Sequence, residues 1–127
     1  MLGAQFDAIE PFPGMRVNGN LTMGENIADL GGLIIAYEAY KRALGGKEAP
    51  VLDGLTGDQR FFLAYAQSWL TKKREDALKQ QIVSDPHAPE IYRANVPVAN
   101  MVEFQRAFGV KPGDKMYVPP EKMARIW

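Results

Sequence analysis

Not one of the 127 residues is cysteine. Disulfide scaffolds, thiolate metal sites and cysteine nucleophiles are therefore excluded. Histidine is almost as scarce: His87 is the single example, so this chain offers no pair of imidazoles. Neither sign of charge is in excess, since 15 Lys and Arg balance 15 Asp and Glu. Nucleic-acid binding, which needs clustered cations to displace counterions, has no electrostatic basis here. The one basic run, Lys72-Lys73-Arg74, is followed at once by Glu75-Asp76 and reads as a solvated helix face. No apolar run approaches the ~18 residues of a membrane span. The N-terminus has no basic-then-apolar leader pattern.

What is present is ordinary for a water-soluble fold: 46% hydrophobic and 24% charged residues, with a length that fits one segment, 1–127. Pro11, Pro13, Gly14 and Gly19 make the first twenty residues read as an extended, turn-rich entry. Thr22-Met23-Gly24-Glu25 has the form of a capping box, so a helix is expected from there to about Leu44, stopped by Gly45-Gly46. A second box, Thr56-Gly57-Asp58-Gln59, opens a helix rich in Phe61, Phe62, Leu63, Tyr65, Trp69 and Leu70, expected to be central and largely buried. A short helix around Asp76–Val83 follows, and then a loop from Ser84 to Pro89 that Pro86 and Pro89 enforce. A last helix is expected from an Asn100 N-cap to Gly109, before an irregular proline-containing tail. The class is all-α.

Three constellations could carry chemistry. Glu25 and Asp29 are four apart, hence neighbours on one helix face. At about 100° per residue, Asp29 falls near 40° from Glu25, and Gly32, Leu33, Ala36, Ala39 and Tyr40 fall within about 80°. Both carboxylates thus share a small, apolar face that is expected to point inward. Two like charges so placed need a cation or strong donors. A divalent metal, or a metal-bound histidine donating to Asp29, would satisfy them. The alternative is that Glu25 only completes the cap and Asp29 binds a neighbouring Arg. His87, on a proline-flanked loop, could donate to a developing oxyanion, or be merely exposed. Arg93 could clamp a peptide carbonyl, or be structural.

Order and context narrow these choices. Val17-Asn18-Gly19-Asn20-Leu21-Thr22-Met23-Gly24-Glu25-Asn26-Ile27-Ala28-Asp29-Leu30-Gly31-Gly32-Leu33 closely resembles the third-ligand motif of the neprilysin-like (M13) zinc metallopeptidases. Phe61 to Trp69 resembles the next helix of that family, followed in order by the Asp85–Pro89 loop, Arg93, a Glu103-Phe104 helix and a tail from Pro120 to Trp127. The resemblance covers nearly the whole chain. It implies the C-terminal helical part of a zincin-type (thermolysin-like) catalytic domain with irregular connecting loops. Glu25 would be the third zinc ligand, and Asp29 the carboxylate orienting a zinc-bound histidine. His87 would stabilise the transition state, and Arg93 would hold substrate backbone and contact the motif aspartate, Asp29.

Two departures matter. Met123 stands where the family tail usually carries cysteine, which suggests a bacterial, disulfide-free relative. The His-Glu-x-x-His motif is absent, so two zinc-binding imidazoles and the general-base glutamate must come from elsewhere. The resemblance therefore implies a parent hydrolysing peptides with one zinc, to which this chain contributes one ligand and the substrate-side wall. Alone, the chain is expected to be inactive, to bind zinc poorly, and to cover its motif face by self-association. Its implied partners are peptide substrates and the N-terminal portion of the parent. Family habit points to the cell envelope (periplasm) or exterior, with the cytoplasm left open. The rival reading is a catalytically dead helical interaction module that keeps the motif as a structural relic.

Overall fold

A computed structural model describes residues 1–126. Among them the regular structure is entirely helical, apart from two isolated bridges at Phe12–Met15 and Leu52–Leu55. The helices are α1 (Leu2–Asp7), α2 (Met23–Ala43), α3 (Gly57–Gln67), α4 (Glu75–Ser84), α5 (Glu90–Ala99) and α6 (Val102–Phe108), with a 3-10 turn at Pro120–Lys122. The all-α class is as expected, and the tail is irregular. Trp127, the last residue of the quoted tail, lies outside the described residues.

Two helices escaped the sequence reading. In α1, Leu2 and Phe6 are spaced to share a face and are buried against α2 and α5. The prolines just beyond it masked this short helix. Gly19 is what lets the entry loop close onto it: a Cβ there would meet the Gly3 carbonyl oxygen at 2.3 Å. The Gly19 N–H then donates to Asp7 Oδ1 at 2.7 Å. The other missed helix is α5, which carries Arg93 and tolerates Pro97 in its last turns.

The long helix α2 is the organiser. Asn26, Leu30, Leu33 and Tyr37 are buried, a face centred roughly 110° round from Glu25. It packs chiefly on α5 and α1. Of the positions expected to point inward, Leu33 is buried and Tyr40 half-buried, but Gly32, Ala36 and Ala39 are exposed. That expectation is corrected: α2 has two weakly polar sides, and α1 and α5 cover only one of them.

The Thr22 capping box is not formed. The Thr22 hydroxyl instead donates to the Asn18 carbonyl at 3.0 Å and accepts from Asn26 Nδ2 at 2.8 Å. Its oxygen is already committed, and Glu25 is left free to turn elsewhere. The second box is formed in both directions, Gln59 N to Thr56 Oγ1 at 3.2 Å and Thr56 N to Gln59 Oε1 at 3.0 Å. The helix it starts ends at Gln67, before Trp69, and is less buried than expected: Phe62 is in the core, but Leu63 and Leu70 are exposed. Asn100 is not the N-cap of α6; Met101 is. Its buried amide is taken by other partners: Gln5 at 2.6 and 3.0 Å, the Ala124 N–H at 2.7 Å and the Val96 carbonyl at 2.8 Å. The side chain thus ties α1, α5 and the tail together.

Candidate metallopeptidase site

Glu25, Asp29, His87 and Arg93 meet at one place, delivered by α2, the 84–89 loop and α5. Asp29 lies on the α2 flank turned toward α5, and its side chain is only 9% exposed. Arg93 reaches it as a fork, Nε to Oδ2 at 2.7 Å and Nη2 to Oδ1 at 2.8 Å. This bidentate geometry is the strong form of an arginine–carboxylate pair. Its hydrogen bonds to Asp29 push the Arg93 pKa further up. Glu25, one turn earlier, is 41% exposed, and its Oε2 lies 3.4 Å from Arg93 Nη2 and 3.3 Å from His87 Nε2. Both carboxylates thus share a cation, and that cation is Arg93. The structural alternative named for Asp29 is therefore realised, without removing Asp29 from the site.

The loop histidine is held from its own side. Asp85 Oδ1 accepts from the His87 backbone N–H at 2.8 Å and lies 2.7 Å from ring Nδ1. Those bonds, the backbone one first, hold the Asp85 carboxyl below its usual range. An ionised carboxylate can only accept, so Nδ1 carries the ring proton. Nε2 then points at Glu25, and a second proton there makes that contact a charge-assisted bond. Asp85 was not singled out in the sequence. The signal that could have found it is its position two residues before His87, the spacing of an Asx turn.

A groove opens beside this cluster, between the uncovered side of α2 and α3, floored by Ala28, Gly32, Ala36 and Ala64 next to Asp29 and Tyr65. Burial pushes the Tyr65 phenol well above its ordinary pKa, with Asp29 adding to the effect.

The residues present do not complete a zinc site. Zinc takes four donors, whereas no group of three or more His, Cys, Asp or Glu side chains is placed for a metal among the described residues. Glu25 alone fits, as a half-exposed carboxylate facing outward from the fold.

A half-exposed carboxylate, a buried arginine-bound aspartate and a carboxylate-oriented histidine thus meet on one helical platform. The profile of peptidase family M13 matches residues 1–124, and the chain belongs to that family. It is 42% identical over 118 residues to Neprilysin-1 of Caenorhabditis elegans, covering 89% of this chain and 15% of that protein. It is 39% identical over 122 residues to a neutral endopeptidase of Lactobacillus helveticus, covering 96% of this chain and 17% of that protein. The fold superposes on the zinc metalloprotease Zmp1 of Mycobacterium tuberculosis with a TM-score of 0.95 and 44% identity, over 99% of this chain and 20% of that one. The chain thus spans about a sixth of the length of these curated relatives. Its helices correspond to the helical C-terminal part of M13 peptidases.

Proposed function

We propose that this chain is the substrate-side, C-terminal segment of a zinc-dependent peptidase that hydrolyses short peptides, an endopeptidase or oligopeptidase. Glu25 is its third metal ligand, and the His-Glu-x-x-His portion belongs to a preceding part of the protein. The observation that carries this reading is a linked chain of contacts, Asp29 to Arg93, Arg93 to Glu25 and Glu25 to His87. Zinc, when bound, polarises the scissile carbonyl and the attacking water.

The remaining roles belong to the chain's own side chains. Asp29 has about four lone-pair sites, of which Arg93 uses two. The others can accept the ring N–H of an arriving metal-bound histidine and fix its orientation. His87, whose Nδ1–H is held by Asp85, can donate from Nε2 to an oxyanion forming beside Glu25 when the ring carries its second proton. Arg93 Nη1 has no acceptor among the described residues and is free to bind a substrate carbonyl. The uncovered α2 face around Gly32 and Ala36 receives the metal-binding portion of the protein. In its absence, a second copy of the chain covers that face.

The test uses the complete protein, with metal content and peptide cleavage as readouts. Glu25→Ala abolishes stoichiometric zinc, since two imidazoles leave the site short of a ligand. Asp29→Ala weakens zinc by about 10–100-fold. Unchanged metal content in both variants would sink the assignment and favour the relic interaction module.

A further inference from the structure

Arg93 is held by more than Asp29, and the additional holds come from residues with no role in the reading above. The Trp69 ring centroid lies 4.4 Å from the Arg93 guanidinium carbon, so the indole covers one face of the fork. The indole Nε1 is shut off from solvent and has no hydrogen-bond partner among the described residues. The Tyr65 hydroxyl stands close enough for the indole N–H to lower the phenol pKa, although the pair does not reach good hydrogen-bond geometry and the hydroxyl proton goes to Arg93. The ring packs against Arg93 and, edge-on, against the ring of Tyr65 6.1 Å away.

The second hold is on the backbone. In an α-helix the carbonyl of residue i−4 accepts from the N–H of residue i. Pro97 sits inside α5 and has no N–H, so the carbonyl it orphans is that of Arg93. The Tyr65 hydroxyl takes the vacated position, donating to the Arg93 carbonyl oxygen at 2.9 Å. Tyr65 in the last turn of α3 and Trp69 just beyond its end thus grip Arg93 twice, at the main chain and at the guanidinium face respectively. The Nε–Nη2 edge stays with Asp29, and the unpaired Nη1 remains available.

We propose that Tyr65 and Trp69 are positioning residues that fix the Arg93 fork, with Pro97 as the device that frees its carbonyl for Tyr65. The inference rests on the proposed substrate role of Arg93 only for its catalytic consequence; the geometry stands apart from it.

The experiment follows side-chain hydrogen exchange of Arg93 Nε–H by NMR in the isotopically labelled chain, with cleavage kinetics on the complete enzyme as the second arm. Trp69→Leu speeds Arg93 exchange and abolishes the upfield ring-current shift of its side-chain protons, whereas Trp69→Phe retains part of both. Tyr65→Phe, which removes one hydroxyl, also speeds exchange. Adding Pro97→Ala, which restores the helical N–H, returns it toward the starting rate. Pro97→Ala does not rescue Trp69→Leu. In the enzyme arm, Trp69→Leu and Tyr65→Phe raise KM by about 3–10-fold with a smaller effect on kcat, as for loss of ground-state clamping. The proposal is overturned by unchanged Arg93 exchange in both Trp69→Leu and Tyr65→Phe. It is overturned equally if a folded Tyr65→Phe/Pro97→Ala protein shows no rescue. A complete enzyme that cleaves nothing even before substitution removes the proposed function, while the exchange arm still decides this inference.

Discussion

Replacing Asp29 by Ala strips Arg93 of both short hydrogen bonds at once and leaves a guanidinium that is only 13% exposed. Removing one partner of a buried ion pair typically costs about 3–5 kcal/mol, because the other charge stays buried. Here the lower part of that range or a little less applies. Glu25 Oε2 is already 3.4 Å from Arg93 Nη2, and its side chain is exposed enough to swing into partial pairing. The expected loss is therefore about 2–3 kcal/mol. A specific unfolding entropy of roughly 2.1 cal/mol/K per residue makes about 0.27 kcal/mol/K for 127 residues. The melting temperature should then fall by about 7–11 °C.

The assay is urea and thermal unfolding by circular dichroism, on Asp29→Ala, on Arg93→Met and on the combination Asp29→Leu/Arg93→Met. The combination replaces both charges by apolar groups and should be less destabilised than the sum of the singles by at least about 1.5 kcal/mol. A loss under about 0.5 kcal/mol for Asp29→Ala, or singles that simply add, would refute the account in which Arg93 is the cation that makes the buried aspartate tolerable.

Other substitutions read different parts of the site. In the complete enzyme, His87→Ala should lower kcat by about 10²–10³-fold with little change in KM, whereas Arg93→Ala should act substantially through KM; steady-state kinetics separate the two, and full turnover in His87→Ala would return that residue to a bystander. Asp85 has a depressed folded-state pKa, so the order it gives the His87 loop is complete above the ordinary value of 3.8 and is lost as pH falls through the lower folded value. An NMR titration following the His87 backbone N–H should therefore show its midpoint below 3.8; a midpoint at or above it contradicts the contact. Gly32 sits in a helix with nothing within 4 Å of its would-be Cβ, so Gly32→Ala should stabilise the isolated chain by roughly 0.5–1 kcal/mol. Gly32→Trp should instead disrupt self-association seen by sedimentation, and a strictly monomeric parent chain would argue against that face being sticky.

Much of this was legible in the residues because the informative signals were local. The Thr56–Gln59 box needs only four residues to specify itself and formed as read. The box at Thr22 had the same local pattern and failed, because the Asn18 carbonyl, held in a turn, captured the hydroxyl first. Glu25 and Asp29 could be placed together from their spacing alone. What spacing could not supply was the identity of the balancing cation. Arg93 lies 64 residues away from Asp29, on a helix whose two flanking or internal prolines disguised it. Periodicity likewise predicts that α2 has an apolar side but cannot say which of two candidates is covered. That is settled by α1 and α5, the two helices the sequence reading missed.

The pairing of Asp29 with Arg93 also changes what a metal would do to this part of the fold. In small zinc domains the ligands are uncompensated until the ion arrives, so metal binding and folding are one event. Here the buried carboxylate is already neutralised by a two-pronged bond from within the chain, and the neighbouring ligand-type carboxylate is half in water. Neither needs zinc in order to be folded. The platform can therefore be formed first, with Glu25 facing outward and Asp29 retaining acceptor capacity on the edges that Arg93 does not use. A ligand set assembled on such a platform puts its binding energy into geometry at the metal rather than into holding α2 and α5 together. The same arrangement makes Arg93 a shared element. It stabilises the fold through Asp29, while its Nη1 has no acceptor among the described residues and is the part a substrate carbonyl would use in the proposed function. Substitutions at Arg93 must consequently be separated into fold and binding effects before either is assigned, and the coupling to Asp29 is the quantity that separates them.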